Sequence, residues 1–222
     1  MMTPIQKLDR ETKIVDYLKS KYQPVGIFLH GSRVTRKERP HSDWDIIMLF
    51  DKGIPRKGYR EDISGEDVEW KAFQIPVPEE KILDTFDVYL QFAKVLWEKD
   101  SLASNLLQKA IQVYDKGPNL SEETIKREEQ FFEHKILGMK DDKDTPYMFL
   151  RHLSVLFNRA SNMWFEILHN SFAKPFYIGI PIIKERDSEY YNHLMILCSN
   201  NSLNEEKIAS AEWISRKLFK NK

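Results

Sequence analysis

Gly31, Ser32, Asp43, Asp45 and Glu69 have types and spacing that can do chemistry together. Gly31-Ser32 closes an apolar run. A glycine–serine turn at a strand end offers backbone N–H groups and a hydroxyl to phosphate oxygens, because glycine lets the backbone approach closely. Asp43 and Asp45 stand two apart where a second apolar run begins, so in a strand their carboxylates face the same side. Like charges held that close repel unless a cation lies between them. Mg2+, a hard ion that takes oxygen ligands and substrate phosphates, suits that place. Val68-Glu69-Trp70 supplies a third carboxylate on a neighbouring strand, with Asp67 as the fallback. Three carboxylates can hold two metal ions, which activate an attacking oxygen and neutralise a triphosphate during in-line displacement.

These side chains need a rigid frame. Val25–His30 and Ile46–Phe50 are short apolar runs bounded by turn formers and read as buried strands. Asp67–Ile75 reads as a third strand, with Val68, Trp70 and Ala72 alternating with Glu69, Lys71 and Phe73. Phe92–Trp97 is a candidate fourth. Ahead of them, Ile5, Leu8, Val15, Leu18 and Tyr22 recur at helical steps, with Thr3-Pro4 as N-cap and first turn. Glu79–Phe86 and Leu102–Tyr114 read as further helices. After the turn-rich KGPNLSEE joint, where Ser121 is placed to cap, the pattern is helical almost throughout. Helices are expected around Ile125–Leu137, Phe149–Leu168, Glu185–Cys198 and Glu205–Phe219. KPFYIGIPI, with two prolines and a glycine, reads as a loop. The fold class is therefore α+β: a small mixed sheet flanked by helices, then a helical bundle.

An Asp-x-Asp pair by itself is an ordinary solvated strand end. Joined to Gly-Ser across a polar loop, with a later acidic residue on another strand, it resembles the nucleotidyltransferase superfamily of DNA polymerase beta and the aminoglycoside nucleotidyltransferases. Gly31, Ser32, Asp43 and Asp45 fill that hallmark, SDWD matches the usual Ser-Asp-x-Asp, and Glu69 falls at the third acidic position. Where members often carry a second glycine, this loop reads Arg33-Val34-Thr35-Arg36-Lys37. The resemblance covers roughly residues 25–115. It implies a nucleotidyltransferase domain over 1–117 and a helical, acceptor-binding domain over 118–222. It implies transfer of a nucleoside monophosphate, AMP from ATP, to a hydroxyl of a small molecule such as an aminoglycoside-like antibiotic, with pyrophosphate leaving. Asp43, Asp45 and Glu69 would be the catalytic, metal-binding residues. Gly31, Ser32 and Arg33 would bind the nucleotide, and two Mg2+ ions would be the cofactors. The alternative is a protein of the same fold that modifies or simply binds a protein partner, as an antitoxin does. A homodimer is left open.

Composition narrows the partners. Lys+Arg and Asp+Glu both number 34, so the net charge is zero and no broad basic surface exists for a nucleic-acid backbone; a nucleic-acid substrate is disfavoured. The single cysteine, Cys198, allows no intramolecular disulfide and reads as a small buried residue in a helix. The apolar runs fall far short of the roughly 20 residues a membrane span needs. The N-terminus lacks the apolar stretch of a signal peptide, so the expected location is cytoplasmic. His30 and His41 border the site and read as structural or loop residues. The basic residues Arg33, Arg36, Lys37 and Arg39 read as a solvated face rather than a phosphate clamp. Glu128, Glu129 and Glu133 can supply a general base by analogy with some aminoglycoside enzymes, but their ordinary reading is an exposed charged face.

Overall fold

The computed structural model describes residues 4–34, 42–55, 58–86 and 88–220, and only the backbone at 4–7, 88 and 89. Thr3, Arg36, Lys37, Arg39 and His41 lie outside the described residues. The chain divides into two compact units, residues 1–114 and 115–222.

The first unit is built on a five-stranded mixed sheet: β1 (Gly26–His30), β2 (Trp44–Phe50), β3 (Gly58–Ile63), β4 (Glu66–Gln74) and β5 (Lys94–Glu98), in spatial order β3-β4-β2-β1-β5. Only β2 and β4 run parallel; the other pairs are antiparallel. α1 (Pro4–Tyr22) covers one face. Its Ile14, Val15 and Leu18 pack on Ile27, Leu29, Trp44, Ile46, Met48, Val68 and Trp70, all buried. On the opposite face, the Phe73 ring packs at a tilt against Phe86 of α2 (Ile82–Phe86), and the missing side chain of Gly26 lets Ala103 of α3 (Leu102–Asp115) come close. A Cβ on Gly26 would sit 3.1 Å from that of Ala103.

β3 has no counterpart in the sequence reading. GYREDI carries no apolar alternation, because it is the edge strand and only Ile63 is buried. Its hold is polar. Glu61 accepts hydrogen bonds from Tyr17, Tyr22 and Lys21 of α1 and from Trp70 Nε1 at 2.9 Å. Burial pushes the Glu61 carboxyl up, but these donors outweigh it and hold it below its ordinary value.

The second unit is helical: α4 (Glu122–Asp141), α5 (Pro146–Leu168), α6 (Phe176–Arg186), α7 (Ser188–Cys198) and α8 (Asn204–Phe219). Ser121 caps α4 by accepting from the Thr124 N–H. Phe132, Phe149, Leu156, Trp164, Tyr190 and Ile214 lie at the centre of the core. Three expectations are corrected. KPFYIGIPI is not a loop: α6 begins at Phe176 and accommodates Pro181, with Gly179 set against the Phe165 ring and Ile183 buried. Packing there outweighs the local cost of proline. The helix expected over 185–198 is interrupted at Asp187, which caps α7 through the Tyr190 N–H. Cys198, the last residue of α7, is exposed rather than buried.

Candidate active site

Gly31, Ser32 and Arg33 form a single 3-10 turn directly after β1, and Gly31 adopts φ +76°. That value favours glycine, and the space demands it as well. A Cβ on Gly31 would lie 2.1 Å from Asp45 Oδ2. The turn and the Asp45 carboxylate are thus built against each other. The antiparallel pairing of β1 and β2 fixes this, since it places His30 opposite Asp45.

Asp45 is also directly in register with Glu69 across the parallel β2–β4 pair, so both side chains leave the sheet on one face, away from the α1 core. Trp44 and Val68, one residue earlier on each strand, point into that core. Asp43 lies just before β2, two residues from Asp45. Burial pushes the Asp45 carboxyl up to about 6, with the Asp43 and Glu69 charges adding to it and Lys71 and Arg33 opposing. Burial likewise brings His30 down to about 4, with Lys71 adding to the effect and Asp43 opposing, so His30 is neutral at pH 7.

Arg33 is turned inward. It is 4% exposed, its Nε donates to the Asp43 carbonyl at 2.8 Å, and its Nη2 donates to the Ser42 carbonyl. The guanidinium lies 4.4 Å over the Trp44 ring and 3.7 Å from Glu66, which also takes bonds from Arg10 and from Trp44 Nε1. In this arrangement Arg33 joins the 31–33 turn to the start of β2 and positions Asp43 through its own backbone. It is a buried tie and not part of a solvated basic face.

Two cations on this face went unread in the sequence. Arg60 of β3 pairs across from Glu69. Its Nε donates to Asp67 Oδ1 at 2.7 Å, its Nη2 donates to Asp67 Oδ2, and the same Nη2 lies 3.9 Å from Asp43 Oδ2. The hydrogen bond from Arg60 holds the Asp67 carboxyl below its ordinary value. Lys71 lies two residues beyond Glu69, on the same face of β4. Lys71 shares the face of Glu69 by the two-residue strand period alone, whereas Arg60 is revealed only by the pairing of β3 with β4, since neither belongs to a motif. Glu69, not Asp67, is the acidic residue in register with Asp45, while Asp67 is engaged by Arg60.

Asp43, Asp45 and Glu69 offer only carboxylate oxygens, and the Asp43 and Glu69 charges add to the burial that raises the Asp45 pKa. That chemistry fits a hard divalent cation. As they stand, no three His, Cys, Asp or Glu side chains among the described residues are drawn close enough to hold an ion.

In the helical unit, Glu128 does not sit on a solvated face. Both its oxygens accept from Arg159 of α5, Nε at 2.7 Å and Nη2 at 2.5 Å, while Glu133 is exposed. Among the described residues no helix is long and apolar enough to cross a membrane.

The family described as polymerase beta, nucleotidyltransferase matches residues 12–133, more than half of the chain. Among solved structures, the chain is similar to a nucleotidyltransferase-like protein from Exiguobacterium sibiricum 255-15. That match is 11% identical, has a TM-score of 0.49, and covers 95% of this chain and 74% of that one. It is also similar to a chain of a toxin–antitoxin solved with AMP-PNP, at 19% identity and a TM-score of 0.33, covering 47% of this chain and 86% of that one. No curated protein matches the sequence.

Proposed function

Because the chain belongs to the polymerase beta nucleotidyltransferase family, we propose that it transfers AMP from ATP, with a divalent cation, to a hydroxyl of a small-molecule acceptor. The observation that carries this reading is the register of Asp45 with Glu69 beside the Gly31 turn, with Asp43 two residues away. The zero net charge supports a small acceptor over a nucleic acid.

Each residue has a task in this reading. The N–H groups and the Ser32 hydroxyl of the 31–33 turn hold the β- and γ-phosphate oxygens, which glycine at 31 lets approach closely. Lys71 adds positive charge on the same face. Asp43, Asp45 and Glu69 would hold Mg2+, two ions when fully loaded. Bound there, the metal supplies charge neutralisation of the triphosphate and acidifies the attacking hydroxyl. Glu69 takes the proton from the acceptor hydroxyl. The acceptor oxygen forms its bond to the α-phosphorus as the bond to the bridging oxygen breaks, and pyrophosphate leaves. His30, neutral at pH 7, adds no competing charge.

Titration calorimetry with a non-hydrolysable ATP analogue, with and without Mg2+, tests the reading on wild type and Asp43→Asn/Asp45→Asn. Mg2+-dependent binding that the double variant loses is the expected result, and acceptors can then be screened with labelled ATP. Folded wild type that binds no nucleoside triphosphate would overturn the reading.

A further inference from the structure

Arg60 stands where the carboxylate edge meets the sheet edge. Its fork on Asp67 uses Nε and Nη2, and Nη2 also faces Asp43 at 3.9 Å. One guanidinium therefore spans an acidic residue outside the proposed ligand set and one inside it. The Arg60 side chain is 59% exposed. Exposed ion pairs contribute only about 0–1 kcal/mol, so the arginine can yield to a competitor at little cost.

We infer that Arg60 is the internal counter-ion of this site and competes with the divalent cation for Asp43, thereby setting the cation affinity. The inference rests on the reading of Asp43, Asp45 and Glu69 as the cation ligands. A positive charge beside a ligand oxygen relieves repulsion among the carboxylates when no ion is bound, and repels an incoming ion of charge +2. Asp67 acts as the tether. It keeps the guanidinium beside Asp43 without letting it collapse onto the Asp43–Asp45 pair, and it is not itself a cation ligand.

The test is Mn2+ binding by the full chain without nucleotide, followed by electron paramagnetic resonance of the free ion and by calorimetry. Arg60→Gln should bind Mn2+ about three- to tenfold more tightly, the effect of removing one unit charge about 4 Å from a ligand oxygen in a largely aqueous setting. Arg60→Lys, which keeps the charge, should bind like wild type. Arg60→Gln/Asp67→Asn, which also removes a negative charge from this face, should keep only part of the gain and bind less tightly than Arg60→Gln. Binding by Arg60→Gln no tighter than wild type, or binding by Arg60→Lys as tight as by Arg60→Gln, overturns the inference. Loss of binding in Asp43→Asn/Asp45→Asn, observed alongside, leaves the nucleotidyltransferase reading standing in that case. Absence of Mn2+ binding in wild type and Arg60→Gln alike overturns both. Arg60 is exposed and outside the core, so the variants should fold; matching circular dichroism melts verify this.

Discussion

On the α1 face of the sheet, Glu61 accepts from two tyrosines, a tryptophan and a lysine, and its carboxyl is held below the ordinary range. On the opposite face, Asp45 is pressed against Gly31, and burial first, with the Asp43 and Glu69 charges adding to it, raises its carboxyl to about 6. Two carboxylates on one sheet are thus treated in opposite ways. Glu61 is surrounded by donors and ties the edge strand to α1. Asp45 is buried without such donors and beside two further acids, an arrangement that costs stability and makes sense where a cation is to arrive. The contrast shows that burial raises both carboxyls and that the donors around each decide whether the rise survives.

The largest effect that could break this contrast is on activity. Asp43→Asn/Asp45→Asn should lower nucleotide transfer by about a thousandfold or more, the scale of removing preorganised charge stabilisation, while the protein stays folded. Transfer from labelled ATP, once an acceptor is found, measures it; a loss under tenfold would place the chemistry elsewhere. Next is Glu61→Ala, which strands several donors at once and should cost about 2–3 kcal/mol in urea unfolding. A cost within experimental error would deny Glu61 its structural role. Gly31→Ala forces a methyl toward the Asp45 carboxylate at a positive φ. It should cost about 1–2 kcal/mol and weaken cation binding, which calorimetry reads directly.

The smallest prediction concerns pH. Asp45 titrates near 6 in the folded chain and near 4 unfolded, so the folded state holds this proton more tightly. Its contribution therefore favours folding as the pH falls from above 6 toward 4, and it is a penalty at pH 7, where both states are ionised. Discounted for partial exposure, Asp45→Asn should stabilise the cation-free protein by about 1 kcal/mol near pH 7.5. The gain should fade toward pH 4. Thermal melts at the two pH values check it, and a variant destabilised equally at both would sink the account.

Much of the fold was legible in particular residues. Val68, Trp70 and Ala72 announced β4 because their alternation matches a strand with one face in the core. Phe149, Leu153, Leu156 and Ala160 announced α5 by helical spacing. β3 was invisible because it is held by polar contacts, those of Glu61 reaching back to Tyr17, Lys21 and Tyr22 far away in sequence. α6 was hidden because Pro181 and Gly179 speak against a helix until Phe165 packs on it. Cys198 was misjudged because a helical pattern does not say which turn reaches the surface.

By itself, the sequence determined the chemical inventory: a Gly-Ser turn, an Asp-x-Asp pair at the start of a strand, and a later acid flanked by apolar residues. It determined these because local spacing and strand periodicity are properties of the chain alone. Only the tertiary structure decided that Glu69 rather than Asp67 faces Asp45, that Arg33 is a buried tie, and that Arg60 lies against Asp43 and Asp67. Those outcomes depend on strand order and register, which are set by long-range pairing and core packing and leave no mark in the spacing of any one segment.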